Sequence, residues 1–262
     1  MRTRGFEKIS FEQFKKDVSD DLDLYNSYTL PVRKTRVSAG YDLSLITDLT
    51  IKVGEIVNPN TNYIVLKEKF DLIYLKSEKN CEAKIEGYVN SFTETKVLFS
   101  KLIDQKREIN QNVFSISETN FNIDDLYNLA FESGKMSRFN LDKKFGRTKF
   151  EELYVKWVDN SINKVFADDV FVYQENNKTL GFITYKIDED FSTIGLIAVD
   201  SFSQGKGIGG KLIDAVENKL NSNGVFKLII PTQLENTKAC SFYEKKEYKI
   251  CQTTVIKHYW KK

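Results

Sequence analysis

The stretch IGLIAVDSFSQGKGIGGKL constrains this chain more than any other. An apolar run over 194–199 passes through a polar turn into Gln204, Gly205, Lys206, Gly207, Ile208, Gly209 and Gly210, and an amphipathic segment follows without a spacer. That pattern predicts a strand, a glycine turn and a helix. Glycines let backbone N–H groups turn inward and approach an anion closely. The first turn of the helix adds uncompensated N–H groups and partial positive charge. Lys206 adds a point charge. The stretch reads as a cradle for a phosphorylated ligand, or as a plain glycine-rich strand–helix turn with no ligand.

Three ligand readings compete. A GxxxxGK[ST] phosphate loop needs Ser or Thr after a suitable lysine, and none follows here. Gly205, Gly207 and Gly210 match the spacing of a GxGxxG dinucleotide fingerprint. That fingerprint opens a βαβ unit near the start of a domain, whereas three strand-like segments precede it here. The next strand, FKLIIPTQ, ends in Thr232 and Gln233 rather than an acidic residue. Gln204, Gly207 and Gly209 fit a Q-x-x-G-x-G turn of the kind that holds the pyrophosphate of coenzyme A.

Composition narrows the surroundings. The chain has 262 residues, 41% hydrophobic and 29% charged, with a net charge of +2, which suits a globular protein with a core. Charge is spread along the chain without a basic block, so neither nucleic acid nor a membrane surface is an expected partner. No apolar run approaches the ~18–20 residues of a membrane span. MRTRGFEKIS carries no apolar signal region, and a cytoplasmic location is expected. Cys81, Cys240 and Cys251 are scattered, which argues against a disulfide framework and a CxxC metal site. His258 is the only histidine, so most histidine chemistry and a metal site are not expected.

Periodicity predicts strands at 70–77 and over TETKVLFSKL, then a polar linker from 104 to 120. A helix capped by Asn122 follows, with Ile123, Leu126, Tyr127 and Ala130 on one face. A second helix over about 149–165 places Phe150, Leu153, Tyr154, Trp157 and Ile162 in a stripe. Strands DDVFVYQ, TLGFITYKI and STIGLIAVD come next, the first two joined by the turn ENNK. After the glycine turn, a helix to about 221, strand FKLIIPT, a helix over 236–246 and a final strand pair near YKICQTTVIKHYW complete an α/β order.

The glycine segment resembles motif A of the GCN5-related N-acetyltransferases, the GNAT superfamily. Downstream, ENTKACSFYEKKEYK is similar to that superfamily's N-x-x-A-x-x-F-Y-x-x-x-G-[FY], with Asn236, Ala239, Phe242, Tyr243 and Tyr248 in register. Glu247 stands where the superfamily usually has the glycine of a left-handed helix cap. The resemblance implies a GNAT fold, with a mixed, mostly antiparallel central sheet flanked by helices and a smaller N-terminal region. FESGKMSRFNLDKKF, ELYVKWVDNSI and a terminal H-Y-W resemble the TDP-fucosamine N-acetyltransferase family. Ser137, Arg138, Phe139, Trp157 and Ser161 carry that resemblance, as does the pair Thr232, Gln233. Those enzymes acylate the 4-amino group of a TDP-linked 4-amino-4,6-dideoxyhexose. DLIYLK and ETKVLFSK look like the end of that family's N-terminal half.

The resemblance implies acetyl-CoA as co-substrate and a nucleotide sugar as acceptor, and leaves room for a homo-oligomer. It implies a bulge near Ala198 and Val199 that splays two strands, where backbone N–H groups would stabilise an oxyanion, with Ile197 beside them. Gln204 to Gly210 and Asn236 are the remaining cofactor residues, Asn236 serving also as an N-cap. Tyr243 is the candidate acid, or else an aromatic core residue beside Phe242. A phenol near pKa ~10 faces a thiol near ~8.5, so a hydrogen bond that strengthens in the transition state is its role. Ser137, Arg138, Phe139 and Trp157 are the substrate candidates, with Arg138 proposed for a phosphate and the two aromatics either stacking or packing. A sugar amine is less basic than lysine, so a water chain can serve as base. Cys240 reads as an inert helix residue, His258 as a strand residue, and Asp188, Glu189 and Asp190 as a solvated tip. Other GNAT acceptors, a protein N-terminus or a polyamine, are the alternative reading.

Three segments are expected: 1–58, 59–118 as a partial N-terminal subdomain with linker, and 119–262 as the acetyltransferase domain. The first is similar to the start of trimeric dUTPases, where Ala39, Gly40, Tyr41 and Asp42 match the first motif. The remaining dUTPase motifs do not follow, so it reads as a fused piece without hydrolase activity. An oligomerisation or nucleotide-binding module is the reading of a different class.

Overall fold

The computed structural model describes residues 49, 51–59, 62–66, 69–104 and 106–262. The dUTPase-like motif Ala39, Gly40, Tyr41 and Asp42 lies outside these residues. The first strands are β1 (Val53–Val57), β2 (Tyr63–Ile64), β3 (Leu72–Ser77), β4 (Lys84–Ile85), β5 (Tyr88–Leu102) and β6 (Val113–Ser115). Three helices follow, α1 (Ile123–Ser133), α2 (Arg138–Leu141) and α3 (Arg147–Ile162). Then come β7 (Asp169–Glu175), β8 (Lys178–Ile187), β9 (Ser192–Val199), α4 (Ile208–Ser222), β10 (Lys227–Gln233), α5 (Thr237–Lys245) and β11 (Lys249–Lys261).

Among the described residues, nine strands form one sheet in the order β1-β3-β11-β5-β10-β9-β8-β7-β6, while β2 and β4 pair separately. Strands from 53–102 are thus interleaved with those from 169–261. Helices cover both faces, and the central strands read accordingly. In β7, Val170 and Val172 join the core under α1 and α3, while Phe171 and Tyr173 join the core under α4 and α5. The period-2 alternation of a strand feeds both layers at once. On α4, Ile208, Leu212, Ile213, Val216 and Leu220 are buried at helical spacing. Each such side chain contributes about 1.5–3 kcal/mol on burial.

Two stretches differ from expectation. The 104–120 linker contains β6, because Val113 and Phe114 pair with Tyr173 and Val172 and extend the sheet edge. The expected terminal strand pair is a single strand, β11. Its irregularities at Ile250/Gln252 and His258/Tyr259 are register shifts against β5, which bend the strand without reversing it.

At the end of α5, Glu247 adopts φ of 68°, the left-handed conformation of the expected glycine. The cap forms regardless, with Tyr248 N–H donating to Tyr243 O at 3.0 Å and Glu247 N–H to Glu244 O at 2.9 Å. A non-glycine residue there costs about 1–2 kcal/mol, part of which glycine's unfolded-state entropy offsets. Glu247→Gly is therefore expected to stabilise the fold by about 1 kcal/mol and raise Tm by about 2–4 °C in a thermal melt.

Candidate active site

The site begins where two strands part. β9 and β10 pair in parallel only at Ser192/Leu228 and Thr193/Ile229. Beyond these residues they diverge. The cause lies on β9, where Gly195 and Leu196 stand opposite the single residue Thr184 of β8. This bulge is closer to the strand's start than the expected position at Ala198 and Val199. Thr184 Oγ1 accepts the Leu196 N–H at 2.9 Å and holds the bulge. Pro231 lies on β10 within the diverging stretch, where a strand residue without an N–H is tolerated because its β9 side is unpaired.

The divergence opens a cleft of about 910 Å³, within the range of small-molecule sites. One arm is lined by Val199, Gln204, Gly205, Gly207, Ile208, Gly209 and Gly210, and by Asn236, Phe242 and Tyr243 of the α5 region. The other is lined by Ser137, Arg138 and Phe139 of the α2 turn, Tyr154 and Trp157 of α3, and Lys96, Thr232 and Gln233. Ile197 and Ala198 line the cleft as well. All the expected site residues meet in one cleft except Lys206, which is exposed beside it.

Strand geometry decides which backbone groups face the opening. Leu196 N–H turns to Thr184 on β8, and Asp200 N–H turns to Leu180 O. N–H direction alternates along a strand. Ala198 therefore also faces β8, and the N–H groups of Ile197 and Val199 face the cleft. They are the pair able to stabilise a developing oxyanion.

Gly205 and Gly207 have φ of 79° and 77°, with open space where a β-carbon would stand. Gly207 is the N-cap of α4, so the helix's first N–H groups open onto the turn. Gln204 Nε2 donates to Val199 O at 3.2 Å and ties the loop back to β9. This cradle fits a pyrophosphate. Asn236 caps α5, its Oδ1 accepting the Ala239 N–H at 3.3 Å.

Tyr243 is 4% exposed and packs against Phe99, Phe242 and Tyr248. No group among the described residues hydrogen-bonds its hydroxyl. Burial, with the Cys240 thiol nearby, pushes its pKa above the usual phenol value, so it stays protonated at neutral pH. Cys240 is buried, its thiol pKa is raised by that burial, and it does not line the cleft.

In the acceptor arm, Arg138 is 4% exposed and donates to Glu94 Oε1 at 3.0 Å. Its guanidinium stacks on Tyr74 and Phe139 at 5.0 and 4.7 Å from the ring centroids. Phe139 is buried and also packs on Phe145, while Trp157 is half-buried with its indole nitrogen toward Gly195. Asp188 is exposed yet lies at the cleft rim, and burial of its carboxyl raises its pKa. His258 is fully buried on β11, and burial with Arg138 nearby lowers its pKa to about 4. It is neutral at ordinary pH, and it does not line the cleft. Among the described residues, no helix is long and apolar enough to cross a membrane.

Sequence reasoning missed the cleft floor at Gly195, the partner Thr184, and the ion pair that holds Arg138. Their signals are single residues far apart in the chain.

Residues 124–248 match the family model described as the acetyltransferase (GNAT) family. YxbD, an uncharacterized protein of Bacillus subtilis, is 30% identical over 83 residues, 32% of this chain and 51% of YxbD. SpsD, a spore coat polysaccharide biosynthesis protein of Bacillus subtilis, is 25% identical over 132 residues, 50% of this chain and 45% of SpsD. The chain thus spans about half the length of these curated relatives. A solved structure of a GNAT-family protein from Novosphingobium aromaticivorans superposes with a TM-score of 0.53 at 11% identity, covering 75% of this chain and 77% of that one. Residues 124–248 thus resemble the acetyltransferase (GNAT) family, and the sheet containing them has the GNAT fold.

Proposed function

We propose that this chain is an N-acetyltransferase that uses acetyl-CoA to acylate the 4-amino group of a TDP-linked 4-amino-4,6-dideoxyhexose. One observation carries the reading: the glycine turn at the start of α4, the α2 wall and Tyr243 all line one cleft where β9 and β10 part.

Bound acetyl-CoA would supply the activated acyl carbon. The cradle from Gln204 to Gly210, with the α4 N-terminus, holds the pyrophosphate, and the edge of β9 receives the pantetheine arm. The Ile197 and Val199 N–H groups donate to the acyl oxygen as charge develops there. The acceptor amine attacks the acyl carbon directly and loses its surplus proton to a water chain, while the carbon–sulfur bond breaks and Tyr243 donates a hydrogen bond to the departing sulfur, which leaves as the CoA thiol. The buried Cys240 takes no part. Ser137, Arg138, Phe139 and Trp157 hold the sugar nucleotide. Arg138 is paired with Glu94 and Lys186 with Asp168, and with Lys96 they place three cationic side chains along the cleft toward a diphosphate. The printed role of SpsD in polysaccharide biosynthesis supports a sugar acceptor.

Equilibrium binding to the CoA complex tests the acceptor class. TDP-4-amino-4,6-dideoxygalactose is expected to bind, with TDP alone competing and spermidine failing to compete. Competition by spermidine and none by TDP would show that the acceptor is a polyamine and not a sugar nucleotide.

A further inference from the structure

α2 is the wall of the acceptor arm, and it has only one turn. Its main-chain bonds are few: Asn140 and Leu141 N–H to Ser137 O, and Asp142 N–H to Arg138 O. A lone turn does not hold its own position. Side chains at its two ends do so. At the start, Arg138 is tied to Glu94 of β5.

At the far end stands Asp142, the C-cap of α2, which is 2% exposed. Its Oδ2 accepts from His258 Nδ1 at 2.7 Å and from Trp260 Nε1 at 2.8 Å, both on β11. Its Oδ1 accepts from Ser91 Oγ of β5 at 3.1 Å and from the Lys144 N–H at 3.1 Å. His258 is wedged between Tyr74 and Phe92, at 4.7 and 5.4 Å between centroids. A buried carboxylate satisfied from several elements fixes one geometry for the turn that carries it.

The wall also presents an unmet polar group. Ser137 sits in the N-cap position of α2 without a capping bond. It is 94% buried (6% exposed), its hydroxyl has no partner among the described residues, and it lines the cleft. Such a group, lining an open cleft, is available to a ligand donor or acceptor or to the water that a ligand displaces.

We propose that Asp142 and His258 are positioning residues that hold Ser137, Arg138 and Phe139 in the geometry that binds the acceptor. This inference rests on reading that arm as the acceptor site. Neither residue lines the cleft, so they act through the turn and do not touch the substrate.

The test compares Asp142→Asn, His258→Leu and His258→Asn with wild type in the full chain. Asparagine at 258 keeps a neutral N–H near the Nδ1 position, whereas leucine removes it. Losing a charged, buried hydrogen bond is expected to raise KM for TDP-4-amino-4,6-dideoxygalactose about 10–100-fold in Asp142→Asn and His258→Leu. The Kd for CoA is expected to change less than about twofold, and His258→Asn to recover most of the acceptor affinity. Hydrogen exchange at the Asn140, Leu141 and Asp142 amides is expected to rise about tenfold or more in the first two variants, with the α4 amides unchanged. Equal loss of CoA and acceptor affinity, or unchanged α2 exchange, would overturn the proposal. If wild type does not use this sugar nucleotide, the substrate reading fails alone, and the exchange rates still decide the role of the pair.

Discussion

Tyr243→Phe is expected to lower kcat for thiol release by about 10²–10⁴-fold, the range of a lost general acid. Phenylalanine keeps the ring that packs on Phe99, Phe242 and Tyr248, so the core is preserved. Only the hydroxyl is removed, and no described residue depends on it for a hydrogen bond. The Kd for CoA should therefore stay within about threefold and Tm should hardly move, since the deletion leaves no buried donor unpaired. The raised pKa gives a second readout. Because the phenol is protonated well beyond neutrality, wild-type activity should not fall between pH 7 and 9 through ionisation of this group. A purely structural tyrosine predicts an unchanged kcat. Stopped assays over that pH range, beside a thermal melt, separate the two.

Gly195→Ala is expected to be nearly as damaging, although it adds one methyl group and touches no catalytic side chain. A β-carbon at Gly195 would stand 2.7 Å from Thr184 Oγ1, the atom that accepts the Leu196 N–H. Either Thr184 moves and that bond is lost, or β9 shifts at the bulge. The first outcome costs about 1–3 kcal/mol of stability. Both displace the Ile197 and Val199 N–H groups, and a shift of about 1 Å in a positioning group can cost about 10²-fold in rate. The pair Gly195→Ala and Gly195→Ala with Thr184→Ser distinguishes the causes in kcat and Tm. Serine keeps the hydroxyl and removes the methyl group of Thr184, which frees its side chain to rotate. Partial recovery of kcat in the double variant is the expected result. A single variant with wild-type kcat would show that the bulge does not place the oxyanion donors.

What the sequence made legible is local. The glycine turn could be read because its positive φ values demand glycine within a few consecutive residues, and because the α4 stripe follows immediately. The Asn236 cap and Tyr243 belong to one short helix, so their spacing alone sets them on the same element. The rest was hidden by distance along the chain. Gly195 matters through Thr184 on a neighbouring strand, and one glycine in an apolar run carries no signal of that neighbour. Asp142 meets His258 across 116 residues, and Arg138 meets Glu94 across 44. Buried polar pairs of that kind look, in sequence, like isolated surface residues. The sequence YKICQTTVIKHYW reads as a strand pair where β11 is a single bulged strand, because polar residues within an apolar run suit a bulge as well as a turn. Glu247 shows the converse, since the fold enforces a glycine conformation on a residue that does not favour it.

The most direct measurement is the initial rate of thiol release from acetyl-CoA with TDP-4-amino-4,6-dideoxygalactose as acceptor, with the product's acetyl group located by mass spectrometry. The account predicts rapid, acceptor-dependent release and an acetyl group on the 4-amino nitrogen. CoA that binds in the cleft, with no thiol released and the sugar recovered unchanged, would contradict it.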